Sequence, residues 1–378
     1  MKRGQNLDAE AKFVTLNFKL DDFLSDENVT SNLEEIENFY SQIEFCKLPT
    51  NTEWTKDNSF PNVYNRKDKS VKVSIVSQEK LRDSLKTGEN WATYFVAENP
   101  LSLFESKLIN PSGDYFTNGR GTRTGQDDMH IISEKEQEKL QIEDEFLLPI
   151  LQSSRTISSI YHPIADSFLF SCHEDEETLK NDYPKAYKWI KKWEKEKNKT
   201  GVLLPKLFEK RKPFWYSLNP EERANVFISI NPDKKLFFSY SDRPIYLNQR
   251  LVAIRAKYEN VEIVTALLNS VVSLLVVELN GTSRNLGALD LNADFFKTKM
   301  RILNPALLSD KSKKEILGKF EPLSKRTIEN YNVEFLNKDR IEFDKTILKE
   351  FGYNINIIND LYALLIHTIN NRVEMKNR

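Results

Sequence analysis

Cysteine is nearly absent: Cys46 and Cys172 are the only two in 378 residues. They are too few and too far apart for a disulfide framework or a cysteine zinc site, so reduced thiols are expected. Histidine is sparse too. His130, His162, His173 and His367 are scattered, and His162 precedes a proline in what reads as a loop. No metal cluster and no Ser-His-Asp arrangement follows from them. Long apolar runs are also missing. The longest uncharged stretch, Ile263 to Val277, has 15 residues, short of the roughly 20 that span a bilayer, and is read as buried helix. The opening MKRGQNLDAEAKF has no apolar core behind its basic residues, so it does not read as a secretory signal. These absences predict a cytoplasmic chain without a membrane partner. The formal net charge is only −1, which excludes a chain that is basic throughout.

What is present suits an α+β fold of small mixed β-sheets with packed helices and a C-terminal helical segment. At 39% hydrophobic and 29% charged, a chain of this length can bury a sizeable core and divide into two or three domains. Ser31 to Phe45 reads as a helix: Ser31 and Glu34 have capping-box spacing, and Leu33, Ile36, Phe39, Tyr40 and Ile43 form one stripe. Val71 to Val76 is strand-like, with Leu81, Leu85 and Trp91 on a short helix and its exit. From Ala224 the pattern changes to short strands. Val226, Ile228 and Ile230 alternate with Phe227 and Ser229, and Asn231 to Lys234 supplies turn chemistry before Leu236 to Tyr240, which predicts a hairpin. Asp242-Arg-Pro244 is expected to turn the chain into Ile245 to Leu247 and a strand over Leu251 to Lys257. Val261 to Leu279 reads as one helix, apolar nearly all round. Beyond Pro305, helices are expected over Lys311 to Phe320, Arg340 to Phe351 and Ile357 to Val373, with Gly352 as a C-cap.

The chemistry concentrates in two places. Asn118 to Ile132, NGRGTRTGQDDMHII, sets three glycines and two arginines just before an apolar run. Gly119, Gly121 and Gly125 are expected to take φ > 0 and bare their N–H groups beside Arg120 and Arg123, as a phosphate-approaching loop requires. The alternative is an ordinary glycine-rich turn. The second place is Lys185 to Lys212, with eleven Lys/Arg, among them Lys188, Lys191, Lys192, Arg211 and Lys212, against three Glu. A local basic patch suffices for nucleic acid even in a neutral chain, although a solvated helix face has the same composition. Trp189 and Trp193 are i, i+4 neighbours there and are expected as core anchors rather than base-stacking groups. Base readout needs paired donors and acceptors. The candidates are Arg120, Arg123 and Gln126 in the glycine loop, with Gly121, Thr124 and Gly125 shaping it; Arg243, Asn248, Gln249 and Arg250 at the strand turns; and Arg284 with Asn285 after the apolar helix.

Gly121 to Ile132, GTRTGQDDMHII, resembles the Gly-x-x-Thr-Gly-x-Asn/Asp-x-x-Phe-x-Ile pattern that opens the target-recognition region of gamma-class N6-adenine DNA methyltransferases, including fused restriction-modification enzymes. His130 departs from it, standing where that family usually has Phe. In order downstream, Phe146-Leu-Leu-Pro-Ile-Leu151, the polar stretch from Arg155 to Tyr161, a strand at Phe168 to Ser171, Trp215-Tyr216, the strand Leu251 to Lys257, Ala266-Leu-Leu-Asn-Ser270 and Arg284-Asn-Leu-Gly-Ala-Leu289 are similar to further elements of the family. The resemblance implies residues 1–90 as the trailing end of a methyltransferase catalytic domain, 91–310 as a DNA target-recognition domain and 311–378 as a C-terminal helical segment. The implied partner is double-stranded DNA.

The family's catalytic motifs are not in the chain. Its Asn-Pro dipeptides at Asn99, Asn110, Asn219, Asn231 and Asn304 are never followed by a second proline, and Gly119-Arg-Gly121 alone is too little for a nucleotide fingerprint. The resemblance therefore implies a specificity module without methyl transfer of its own. S-adenosylmethionine would belong to a methyltransferase subunit or to a missing N-terminal half. Whether the chain catalyses anything itself stays open. One alternative is a restriction nuclease: Pro232-Asp233 offers half of a metal site, but no Glu/Asp-x-Lys lies between Tyr240 and Glu262. Another is a protein-interaction subunit or inactive remnant using the helices from Lys311 onward, where heptads are not sustained.

Overall fold

The computed structural model describes residues 10–16, 54–56, 62–68, 71–87, 94, 100–257, 261–284 and 288–374. The expected helix over Ser31 to Phe45, Cys46, Trp91 and Asn285 lie outside the described residues. The mixed α+β class is borne out. Strands β1 (Glu10–Leu16), β2 (Trp54–Lys56), β3 (Val63–Arg66) and β4 (Val71–Ser77) form an antiparallel sheet in the order β1-β4-β3-β2. The helix Gln78–Thr87 follows. Both agree with the strand and short helix expected there.

A seven-stranded sheet organises the middle of the chain. It uses β6 (Phe116–Arg120), β7 (Ile131–Ser133), β8 (Leu147–Leu151), β9 (Ser167–Phe170), β10 (Ala224–Ser229), β11 (Ser239–Leu247) and β12 (Leu251–Ala256), in the order β6-β12-β10-β11-β8-β9-β7. All pairings are antiparallel except β11 with β8, where Tyr246 faces Ile150. Among the described residues two smaller pairs complete the strands, β5 (Leu108–Ile109) with β15 (Ile302–Leu303) and β13 (Thr282–Arg284) with β14 (Ala288–Asp290).

β10 and β12 read as near-continuous apolar runs because both faces of the sheet are covered, the situation that removes alternation. Val226, Ile228, Val252 and Ile254 enter the main core; Ala224, Phe227, Leu251 and Ala253 enter a smaller cluster with Leu151 and Leu247. The expected hairpin forms, but later than the apolar pattern suggests. Leu236 and Phe238 are buried in the connection, and β11 starts at Ser239. Asp242-Arg-Pro244 does not end the strand. The pairing slips between Val226↔Tyr240 and Ala224↔Ile245, so these residues form a bulge inside β11 that turns it from β10 toward β8.

The long apolar helix is two. Val261–Leu268 and Val271–Asn280 meet at a 61° bend. At the break, the Asn269 side chain accepts from the Phe238 amide at 3.0 Å and donates to the Phe238 carbonyl at 2.9 Å. Ser270 caps the second helix, while the Asp344 carboxylate accepts the Val271 amide at 2.8 Å. An apolar surface all round carries no periodic signal of a bend, so periodicity missed it. Among the described residues no single helix is long and apolar enough to cross a membrane. The same core includes residues of the C-terminal helices Asp310–Lys325, Lys338–Glu350 and Ile358–Glu374. Gly352 follows the second of them at φ +74°, as expected of a left-handed helix terminator. A separate core packs β7, β8 and β9 against the helix Pro184–Glu194 through Met129, Ile132, Phe146, Phe170, Trp189 and Trp193.

Candidate nucleic-acid interface

The glycine loop leaves the edge strand β6 and is sewn to the turn between β11 and β12. Gly121 N–H donates to Leu251 O at 3.1 Å, Thr122 N–H to Leu247 O at 2.6 Å, and Gln249 N–H returns to Thr122 O at 3.0 Å. Arg120 Nε adds a bond to Gln249 O at 2.8 Å. The glycines serve three different ends, and only one has the expected φ > 0. Gly119 lies in β6 over the Arg255 guanidinium. A Cβ on Gly121 would stand 2.2 Å from Asn248 O, so here glycine permits backbone contact. Gly125 alone is left-handed, at φ +73°.

Beneath the loop sits a buried polar pin. His130 donates from Nδ1 to Phe170 O at 3.0 Å, which fixes the tautomer and leaves Nε2 to accept from Arg211 at 2.8 Å. Burial pushes the His130 pKa down to about 4, helped by the neighbouring Arg211 cation and opposed by the bond to Phe170. Arg211 is partly buried, which lowers its pKa to about 10. It also donates to Thr124 O and stacks on Phe208, 3.6 Å from the ring centre. Arg211 thus holds the loop from below rather than facing solvent. His130, where the resembled family usually has Phe, is what accepts its second bond.

The lysine-rich helix Pro184–Glu194 packs as expected. Trp189 and Trp193 meet edge to face at 5.5 Å, and Trp189 Nε1 donates to Met129 O at 3.1 Å. Lys192 lies over both rings, 4.5 and 5.0 Å from their centres. An open cleft of about 840 Å³ separates this helix from the glycine loop. Arg123, Gly125 and Gln126 line one side, Lys192, Trp193, Lys197 and Lys199 the other, and Gln249 reaches in from the β11–β12 turn. Asp127, Asp128 and Glu196 line it too, so four cations face three carboxylates. Asp127 is partly engaged, accepting the Thr124 hydroxyl.

The remaining candidates fall outside this lining. Asn248 is enclosed, a correction to reading it as a base-facing group, and Gly121, expected to bare its N–H, is enclosed with that N–H bonded to Leu251 O; Thr124 is enclosed as well. Asn248 sits against Gly121, and its Oδ1 accepts the Arg250 amide at 3.1 Å. Lys191 turns to Glu176 and Glu194, at 2.8 and 3.1 Å. Lys188, Lys212, Arg120 and Arg250 are exposed. Arg243 is exposed in the β11 bulge, and Arg284 lies in β13. Sequence reasoning did not single out Lys197, Lys199 or Arg255. The first two lie just beyond a helix that the charge count already marked, and Arg255 shows itself only by bridging Gly119 and Glu222. Among the described residues no group of three or more His, Cys, Asp or Glu could hold a metal ion.

No protein-family model matches this chain, and no curated protein matches it. Among solved structures it is similar to the type IIG restriction endonuclease BpuSI, with a TM-score of 0.52 and 13% identity. The match covers 82% of this chain and 37% of that one, so the chain spans well under half of that protein. At this identity the likeness is one of fold.

Proposed function

We propose that the chain is a double-stranded DNA target-recognition module of a restriction-modification system, without methyl-transfer chemistry of its own. The observation that carries this reading is the convergence of three sequence-remote segments, the glycine loop, the end of the lysine-rich helix and the β11–β12 turn, on one cleft. The fold likeness to a part of a restriction endonuclease supports the same reading, as do the ordered motifs from Gly121 to Leu289.

In this reading Arg123, Lys192, Lys197 and Lys199 contact phosphates. Gln126 and Gln249, half-buried amides with a donor and an acceptor each, face base edges, where such amides pair with adenine. The near balance of charge in the cleft makes attraction to random DNA weak, so base contacts carry a larger share of binding. Methyl transfer would depend on a partner that supplies S-adenosylmethionine and the adenine pocket. The test is selection from a random duplex library by the purified chain at two salt concentrations. Enrichment of one short motif is expected, with affinity falling as about the third to fourth power of salt for four phosphate contacts. Absence of both would remove the reading.

A further inference from the structure

A second concavity, sharing no residue with the cleft, lies where β10 ends and β11 begins. It encloses about 400 Å³ between the turn after β8 and the connection from Asn231 to Lys235. Three cations line it, Arg155, Lys234 and Lys235, against one carboxylate, Asp233. Ser158 adds a hydroxyl, and Ile157 and Phe237 provide an apolar wall. The volume falls within the range of small-molecule sites.

Both flanking segments are held in place by bonds that their own turn chemistry does not require. On one side, Asp166 accepts the Gln152 amide at 2.7 Å and the Thr156 hydroxyl at 2.8 Å, bracing the turn that bears Arg155. On the other, Arg372 from the last helix makes a bidentate bond to the buried Glu278, at 2.9 and 2.7 Å. The same guanidinium donates to Asp233 O at 3.1 Å. Asn231 is tied to Leu289 O at 2.9 Å, and Lys234 O accepts the Tyr331 amide at 3.1 Å. A buried ion pair that reaches out to a loop backbone is a costly way to hold an idle connection. It is a suitable way to preorganise a binding loop.

We propose that this concavity binds a nucleotide unit, with Arg155, Lys234 and Lys235 on the phosphate and the base against Ile157 and Phe237. Arg372 and Glu278 are positioning residues for it. The nucleotide can come from solution or from a nucleic-acid strand, and the experiment separates the two. AMP binding to the full chain is measured by equilibrium dialysis, and duplex binding in parallel, for the native chain, Arg155→Ala and the double variant Lys234→Ala/Lys235→Ala. All three changed residues lie on the surface or partly so, and thermal melting verifies folding. Arg123→Ala serves as the control for the cleft. A free-nucleotide site predicts saturable AMP binding that weakens about tenfold on loss of a charge-assisted bond and is untouched by Arg123→Ala. A strand-derived nucleotide predicts no AMP binding but a similar loss of duplex affinity in the double variant. Unchanged AMP and duplex binding in both variants would overturn the proposal. Because the AMP arm involves no DNA, it can succeed even where the target-recognition reading fails.

Discussion

The bent apolar helices and the cleft-forming lobe handle charge in opposite ways. Around the helices, Arg340, Glu334 and Asp344 are buried and lie against one another, with the partly exposed Arg326 and Asp339 joining them. Arg340 is fully enclosed, bonded to Glu334 at 3.1 Å and to Asn269 O at 2.8 Å, with Asp344 nearby; Arg326 forks onto Glu334 and Asp339. Beside the cleft, most lysines and Arg123 are open to solvent, and only Arg211 is drawn inward to hold the loop. Buried pairs fix one arrangement of elements and are costly to break, whereas exposed charges cost little to remove and stay available to a ligand. The first region braces the break between the helices, where Arg340 donates to Asn269 O and Asp344 accepts the Val271 amide. The second explains how a chain of net charge −1 can offer cations to an anionic partner.

The largest expected effect breaks the buried side of this contrast. Arg340→Ala leaves Glu334 and Asp344 in the interior with reduced compensation, and should cost about 3–5 kcal/mol in urea unfolding. A loss near that of a surface lysine would show that the bend does not rely on this pair.

His130 sharpens the contrast, as a buried neutral group beneath an exposed loop. Its folded pKa of about 4 lies below the ordinary 6.5, so the unfolded chain takes up the proton first. Its stabilising contribution is complete above about pH 6.5 and is lost as pH falls toward 4, by at most about 3 kcal/mol. Asp344, whose carboxyl burial raises to about 6 from 3.8, acts in the opposite sense over an overlapping window. The His130 effect should therefore be measured as the difference between the native chain and His130→Phe across pH 7 to 4. Parallel stability curves for the two proteins would contradict it.

Gly121→Ala should cost about 1–3 kcal/mol, because the new methyl meets the Asn248 carbonyl and the adjoining backbone rather than a movable side chain. Gly113→Ala is a different kind of control. Its space is open, and only its φ of +95° resists the change, so a larger loss at Gly113 than at Gly121 would reverse the ranking. The smallest stability effect belongs to the cleft: Arg123→Ala with Lys192→Ala should change unfolding by under about 1 kcal/mol while weakening DNA binding.

Local pattern was enough for β4 and β12, for the C-terminal helices with Gly352 between them, and for the paired tryptophans as core anchors. In each, the apolar spacing or the turn residue is itself the cause of the structure. The pattern failed where a remote partner decides. The helix bends at Asn269 because of the Phe238 backbone, 31 positions away. Asn248, in what reads as an exposed turn, is buried because Gly121 lets the glycine loop close onto it. The cleft itself was only half visible. Its charges could be counted in the sequence, but not its carboxylates facing them, nor the arrival of Gln249 beside Gln126.

DNA recognition by the cleft is tested most directly by comparing the native chain with Arg123→Ala/Lys192→Ala in duplex-library selection at two salt concentrations, after matched melting curves establish equal folding. One enriched motif is expected for the native chain. The double variant should keep the same fold but bind more weakly, with a salt slope reduced by about 2. Equal binding and equal slopes would contradict this, and would remove DNA from the cleft between the glycine loop and the lysine-rich helix.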